Sequence, residues 1–209
     1  MDWVTIRRPD WLEINWKGRH SYGYNQEWYT DEWQRIAGCG PTTATQVMSY
    51  VAFRDGLLDA NRASDGNEAL ERMRHMWTYV TPRIGGGLYK TGWFEKGLND
   101  FATEKGFSYR AKTLNVSPFG GKARPTTDEA AAFIRTGIEG DSPVGFLNRH
   151  RGKEAELSTW HWVPIVGIRC NAEDVKCRVL DEEIEREFSL ANWLRDTALG
   201  GGFVYLEKV

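Results

Sequence analysis

The sequence predicts an α+β fold in which helices come first and an antiparallel sheet follows. The chain has 209 residues, a length that suits one domain with a substantial core. Apolar residues recur at helical spacing through the first two thirds, whereas short runs of β-type residues fill the last third. No repeat, low-complexity run or linker interrupts the chain, so we interpret residues 1–209 as one domain.

The N-terminal arm, residues 1–38, is aromatic and has no clean apolar period. Five of the ten Trp residues lie within the first 33 positions, and we predict short strands and turns there. One interpretation of these Trp residues is a packed aromatic layer. The other is a groove that stacks on sugars or aromatic side chains, because Trp is a preferred anchor at binding surfaces.

A first helix is predicted to begin at Cys39. Apolar residues from Ala44 to Val51 recur at i, i+3, i+4 and i+7, Pro41 suits a first helical turn, and Gly56 ends the helix. Three further helices are predicted over Asn67–Tyr79, Thr91–Glu104 (ended by Gly106) and Asp128–Ile138 (capped by Thr127).

Strands dominate the remainder of the chain. The predicted strands are Phe107–Leu114, Val144–Asn148, Trp160–Arg169, Val175–Asp181, Glu185–Ser189 and Gly202–Glu207. A short helix, Leu190–Asp196, is predicted between the last two. This order places the helix that begins at Cys39 against a C-terminal antiparallel sheet.

Composition narrows the class of function. The net charge of −2 argues against nucleic acid as the main partner, since proteins that bind it usually carry a basic excess. No apolar run approaches the roughly 18–20 residues that a membrane span needs. The first residues, MDWVTIRRPDW, lack the apolar core of a signal peptide. We therefore expect a cytoplasmic protein by default, or a secreted one if a leader has been removed.

The chain has three cysteines, Cys39, Cys170 and Cys177. This number is small and odd, so a disulfide framework is not expected. They also lack paired metal-ligand spacing. The sequence thus predicts neither a structural disulfide nor a metal site.

Cys39 lies in the segment Gly-Cys-Gly-Pro-Thr-Thr-Ala at the start of its predicted helix. Exposed backbone N–H groups and the positive end of the helix dipole favour a thiolate there, and the thiolate is the nucleophilic form of cysteine. The flanking Gly38 and Gly40 remove side chains that would block an approaching carbonyl. A buried structural cysteine is the alternative interpretation of this segment.

A nucleophilic cysteine needs a base, and His161 is the best candidate of four histidines. It lies in the apolar strand Trp-His-Trp-Val-Pro-Ile-Val-Gly, where a titratable imidazole needs a polar partner. A core histidine bonded to backbone remains the alternative. His20 lies in the aromatic arm, His75 in a charged helical stretch, and His150 among arginines.

Asp181 is the candidate that orients the imidazole. If a hairpin is centred on Asn171, His161 faces Asp181 and apolar residues face apolar residues beneath them. A turn centred on residues 173 and 174 would instead place Asp181 opposite Val166. Cross-strand polarity favours the first register, which also keeps Cys170 and Cys177 out of cross-strand pairing. A solvated acid at a strand end is the alternative interpretation of Asp181.

These motifs together resemble papain-like cysteine peptidases. The bacterial branch related to the double-glycine peptidases that trim bacteriocin leaders is the most similar in motif. The resemblance spans residues 24 to 181, although only three short motifs in it are specific. It implies a papain-like fold and a catalytic Cys39 and His161, with an acid on the following strand.

The same resemblance implies that Gln26 contributes to the oxyanion hole. In that branch Asn-Gln precedes a Trp and then Gly-Cys-Gly-Pro-Thr, and here Asn25-Gln26 precede Trp33 and Cys39. Gln34 is the runner-up. The chain departs from the family's motifs at two positions. Glu182 follows Asp181 where the family usually has Pro. Pro164 interrupts the His161 strand, so one side of this strand should be free or bulged there. Asn192 is an alternative to Asp181.

The sequence therefore predicts cysteine-dependent hydrolysis of a peptide or amide bond in a peptide or protein substrate, without a cofactor. Acyl transfer to an amine by the same residues is one alternative. A non-catalytic peptide- or glycan-binding module on the same scaffold is the other. Glycine-rich segments 85–87 and 120–121 could border the groove, although plain surface turns are the simpler interpretation.

Overall fold

The computed structural model describes residues 2–122, 124–171 and 174–209. The α-helices in these residues are α1 Glu32–Ala37, α2 Cys39–Arg54, α3 Gly66–Trp77, α4 Thr91–Lys105, α5 Thr127–Glu139 and α6 Leu190–Asp196. The strands are β1 Val4–Thr5, β2 Glu13–Trp16, β3 Arg19–Tyr22, β4 Tyr109–Val116, β5 Val144–Asn148, β6 His161–Cys170, β7 Val175–Asp181, β8 Ile184–Ser189 and β9 Gly201–Lys208. None of these helices has the length and apolar character needed to cross a bilayer.

The main sheet contains seven antiparallel strands in the described part of the chain. Six follow the order β4-β9-β5-β6-β7-β8, and β1 pairs with β6. The separate hairpin of β2 and β3 belongs to the N-terminal arm. This arrangement confirms the α+β class and the C-terminal antiparallel sheet that the sequence predicts.

Helices cover both faces of the sheet. Val144 contacts Gly137 of α5, whereas the next residue, Gly145, contacts Phe94 of α4. Because successive strand residues point to opposite faces, α4 and α5 lie on opposite sides of the sheet. Helix α2 packs along β6 and is buried from Gly40 to Phe53, so the helix that begins at Cys39 is anchored in the core.

Most predicted elements agree with the structure, and the main differences are in the N-terminal arm. Helix α1 is absent from the prediction because six residues with mixed polarity give no readable period. The short strands β1, β2 and β3 agree with the prediction of short strands and turns in this arm, for which the sequence indicates no bounds. The cap of α5 is Thr126 rather than Thr127: its side chain accepts from Glu129 N while Glu129 bonds back to Thr126 N.

The register of the β6–β7 hairpin differs from both predicted registers. Cys170 pairs with Val175, so the connection spans residues 171–174, of which 172 and 173 lie outside the described residues. The register then shifts by one residue between Ile165 and Gly167, leaving Ile165 opposite Val179. The predicted register, in which His161 lies directly opposite Asp181 across the hairpin, is therefore wrong. Apolar matching alone did not reveal the bulge.

This bulge decides which face Asp181 occupies. With the register that begins at Cys170, Asp181 would lie opposite Pro164, on the face away from His161. After the one-residue shift it lies opposite Val163, which shares its face with His161. The irregularity expected at Pro164 thus occurs at Val166, whose carbonyl accepts a 3.1 Å hydrogen bond from Ile6 N.

Candidate active site

Cys39 is the first residue of α2 and is half-buried. Gly38 is both the C-cap of α1 and the N-cap of α2. It provides no side-chain capping hydrogen bond to α2. A Cβ at Gly38 would lie 2.2 Å from the Gln34 carbonyl oxygen, and one at Gly40 would lie 2.6 Å from the Leu88 side chain. The two glycines are therefore required by close packing around the cysteine, besides leaving its sulfur open.

His161 and Asp181 form a hydrogen-bonded pair beside this cysteine. His161 Nε2 lies 2.7 Å from Asp181 Oδ1, and both side chains are largely buried. Because Nε2 faces the carboxylate, Nδ1 is the ring nitrogen left for Cys39, which lies close enough to raise the pKa of the imidazole. The structure thus brings Cys39, His161 and Asp181 together from α2, β6 and β7.

The protonated form of His161 is strongly favoured. Burial alone would lower the imidazole pKa, but hydrogen bonds to Asp181 and Cys39 and the negative charge of both raise the pKa to about 10. An imidazolium between a sulfur and a carboxylate is the charge arrangement that supports a thiolate nucleophile.

Asp181 also lies near a second cation, Arg186, which no sequence pattern predicted. Arg186 Nε lies 3.7 Å from Asp181 Oδ2, and Arg186 Nη1 lies 3.1 Å from Glu156 Oε2. Asp181 is thus held between His161 and Arg186. The only signal in sequence is the spacing of five residues across a tight β7–β8 turn, which is too common to be specific.

Gln26 lies beside Cys39 and His161 in one small cavity. Its Nε2 donates a 2.6 Å hydrogen bond to the Arg35 carbonyl, and its Oε1 is buried without a hydrogen-bond partner. An amide nitrogen carries two hydrogens, so one remains available for a substrate oxygen.

Glu183 joins the segment around Gln26 to the segment around Asp181. Its Oε1 accepts hydrogen bonds from Trp28 Nε1 at 3.0 Å and from Asn25 Nδ2 at 3.3 Å. Its backbone oxygen accepts from Tyr22 N. A glutamate in a two-residue turn carries no sequence signal for such a role, so sequence reasoning missed it.

The other candidates lie elsewhere. Gln34 lies within α1 and lines neither cavity at Cys39, and Asn192 lies in α6, where its backbone N–H bonds Ser189. His20 pairs with Glu13, and His75 packs on Tyr79 and Phe101. His150 Nδ1 accepts hydrogen bonds from Gly152 N and Ala198 N.

A cleft of about 680 Å³ opens beside Cys39, and we call it the apolar cleft. Its exposed apolar residues are Trp33, Ile36 and Trp160, and residues 85–87 form part of its wall. The glycines at 85–87 therefore border the groove, whereas 120 and 121 do not line it.

The Trp residues of the arm divide between two roles. Trp16 and Trp28 stack at 4.8 Å, and Trp11 packs on Tyr50. These three form the packed layer, and Trp33 alone among the arm's Trp residues lines the apolar cleft. The packed aromatic layer is therefore present, and stacking of a substrate on Trp33 stays a prediction.

One group of side chains in the described residues has metal-ligand geometry. Ligand atoms of His161, Asp181 and Glu182 lie within 4.8 Å of one another. An ion held there would compete with the His161–Asp181 hydrogen bond, since both groups would have to turn toward the metal. This corner therefore fits a hydrogen-bonded pair better than a metal centre.

Comparisons with known proteins find a similarity among the solved structures. No family model matches the chain, and none of the curated proteins does. The crystal structure of UfSP from C. elegans superposes with a TM-score of 0.52 at 10% sequence identity. The match covers all of this chain and 34% of that one, so this chain spans about a third of its length. At this identity the similarity concerns the fold, which is papain-like.

Proposed function

We propose that this papain-like chain hydrolyses peptide or amide bonds with Cys39 as the nucleophile. The observation that carries the proposal is that Cys39, at the start of a buried helix, shares one small cavity with His161, whose Nε2 is hydrogen-bonded to Asp181. Structural cysteines do not require a charged partner, whereas a catalytic thiol does.

In the proposed reaction the Cys39 thiolate attacks the substrate carbonyl and forms a tetrahedral adduct. The second N–H of the Gln26 amide and the backbone N–H of Cys39 stabilise the oxyanion. The His161 imidazolium gives its proton to the leaving amine, and the acyl-enzyme remains. Neutral His161 then takes a proton from water, which attacks the thioester and releases the acid.

Asp181 and Arg186 act through His161. Asp181 holds Nε2–H, which fixes the tautomer and directs Nδ1 toward the sulfur. Arg186 holds the other carboxylate oxygen and thereby limits rotation of Asp181.

The resemblance to double-glycine peptidases rests on the sequence motifs alone. Two glycines at the scissile bond would leave Trp33, Ile36 and Trp160 uncovered in a cleft of about 680 Å³. The cleft size therefore supports a substrate with a bulky apolar side chain near the scissile bond. Transfer to an amine is separated from hydrolysis by adding an acceptor amine and analysing the products by mass spectrometry.

The test uses the chain's own second accessible thiol as a control. Cys39 and Cys170 are both half-buried and free, and Cys39 lines the same small cavity as His161, whereas Cys170 does not line it. Iodoacetamide at pH 7 should alkylate Cys39 at least about tenfold faster than Cys170, and His161→Gln should remove that difference. Equal alkylation of the two cysteines in the unmodified protein would refute the proposal.

A further inference from the structure

A second cavity, of about 420 Å³, adjoins the apolar cleft, and we call it the basic pocket. Tyr89 and Leu147 line both cavities, so the two share part of their walls. Arg149 lies on its wall, one residue after Asn148, whose partner across the sheet is His161. The pocket thus lies next to the catalytic strand.

The described residues that line the basic pocket include two cations and no acid. These cations are Lys90 and Arg149, and neither forms an ion pair within the part of the chain that the structure describes. The Lys90 ammonium lies over the rings of Trp93 and Tyr89, at 5.1 and 5.7 Å. It is therefore placed beside the pocket by aromatic rings and not by a carboxylate.

Arg149 is unusual among the arginines of this chain. Its Nε is buried without a hydrogen-bond partner, and burial lowers its pKa. Four other arginines have a buried, unbonded Nε, but each of their side chains meets a carboxylate or an aromatic ring: Arg72, Arg169, Arg178 and Arg186. A buried donor without an acceptor costs free energy, and the half-buried Arg149 side chain thus carries a charge that no acid of the described residues compensates.

The first turn of α4 adds positive potential to the same wall. Thr91 and Gly92 line the pocket, and Lys90, the residue before the helix, provides no side-chain cap. Backbone N–H groups at an uncapped helix start favour an anion. The charge of the pocket is thus the opposite of the chain's net charge of −2.

We propose that the basic pocket binds a carboxylate of the substrate peptide, within a few residues of the bond that Cys39 attacks. This inference rests on the proposed hydrolase function. The proposed substrate is thus a peptide that places a bulky apolar side chain in the apolar cleft and an acidic side chain or terminal carboxylate at Arg149 and Lys90.

The first experiment is a cleavage profile. Synthetic peptides of diverse sequence, half with free and half with amidated C-termini, are digested and the cut sites are read by mass spectrometry. Acidic residues, or the free terminus, should be enriched at one fixed position relative to the cut. For a matched Asp and Asn pair at that position, the ratio of kcat/KM should be about ten.

Three variants connect this preference to the pocket. Arg149→Met should reduce the Asp/Asn ratio to near one, and Arg149→Lys, which keeps the charge, should retain most of it. Arg110→Met, which removes an exposed cation on β4, should leave the ratio intact. No acid preference in the unmodified protein, or an unchanged preference in Arg149→Met, would overturn the proposal.

A binding measurement keeps the pocket testable if no peptide is cut. In Cys39→Ala protein, inorganic phosphate should shift the NMR signals of Arg149 Nε–H and of the Thr91 and Gly92 amides in a saturable manner, and Arg149→Met should abolish the amide shifts. Saturable shifts without cleavage would refute the hydrolase proposal and leave the anion site standing. Absence of shifts would refute the anion site itself.

Discussion

Glu183 Oε1 accepts a 3.0 Å hydrogen bond from Trp28 Nε1, although 155 residues separate the two. This bond connects the turn that carries Gln26 to the turn that follows Asp181. Two parts of the proposed site therefore depend on one carboxylate that has no direct contact with a substrate.

Removing this carboxylate should loosen the site. We expect Glu183→Ala to lower the free energy of unfolding by about 1–3 kcal/mol, because the Trp28 indole loses a charged acceptor. The kcat/KM should fall about tenfold through misplacement of Gln26 and Asp181. Glu182→Ala is the matched control for the free energy of unfolding alone, since Glu182 is the exposed neighbour in the same turn and also has positive φ, but its carboxylate lies close to His161 and Asp181. Equal effects of the two changes on the free energy of unfolding would contradict the linkage.

The proposed catalytic residues should show a graded series of losses on substitution. Cys39→Ser and His161→Gln should each abolish peptide cleavage to the detection limit. Asp181→Asn should reduce kcat by about 10²–10⁴, because an amide at this position supports the wrong tautomer of His161. Cleavage is measured on the best peptide of the profile, and circular dichroism verifies folding of each variant. Full activity of Asp181→Asn would exclude an orienting role.

The raised pKa of His161 gives stability a defined pH dependence. The ordinary imidazole value is 6.5 and the value in this fold is about 10, so the folded protein retains a proton that the unfolded chain releases. This contribution is complete below pH 6.5 and is lost as the pH rises through 10. We therefore expect the Tm to fall more steeply between pH 7 and 10 in the unmodified protein than in His161→Gln.

NMR titration of the imidazole provides the direct measurement. Cys39→Ser replaces the sulfur, whose negative charge raises the pKa of His161, with a neutral hydroxyl, so the pKa of His161 should fall below its value in the unmodified protein. An unchanged pKa in Cys39→Ser would show that the sulfur and the imidazole do not interact.

The Cys39 helix start could be predicted from sequence because its signals are local. Residues from Ala44 to Val51 keep one helical face, and glycines flank the cysteine. Asp181 lies beside His161 as the sequence predicts, at 2.7 Å, but through a different strand register, and its orienting role stays a prediction. A one-residue bulge at Val166 depends on how β1 and β7 share β6, which no local pattern encodes. The roles of Arg186 and Glu183 depend on that same long-range pairing.

Gly38 tests whether tight packing positions the nucleophile. A Cβ there would lie 2.2 Å from a backbone oxygen, which cannot move without shifting α1. We expect Gly38→Ala to destabilise the fold by about 1–3 kcal/mol or more and to slow alkylation of Cys39. Gly92→Ala, in a helix with open space around the new methyl group, should instead stabilise by about 0.5–1 kcal/mol. Urea unfolding gives both values, and a tolerated Gly38→Ala would contradict the packing argument.

The apolar cleft should determine which side chain is preferred next to the scissile bond. Trp160 and Ile36 are 54% and 66% exposed, and both line the cleft beside Cys39. Covering a Trp in an interface commonly contributes about 2 kcal/mol or more, which corresponds to roughly thirtyfold in affinity. We therefore expect Trp160→Ala to raise KM by about tenfold or more for peptides with a bulky apolar residue, with little change for their Gly-substituted counterparts. Ile36→Ser should act in the same direction with a smaller effect.

Ile84→Ser is the matched control, because Ile84 is 93% exposed yet does not line the cleft, so loss of apolar surface alone should leave KM unchanged. A KM that changes equally in Ile84→Ser and Ile36→Ser would mean that the cleft does not select the substrate side chain.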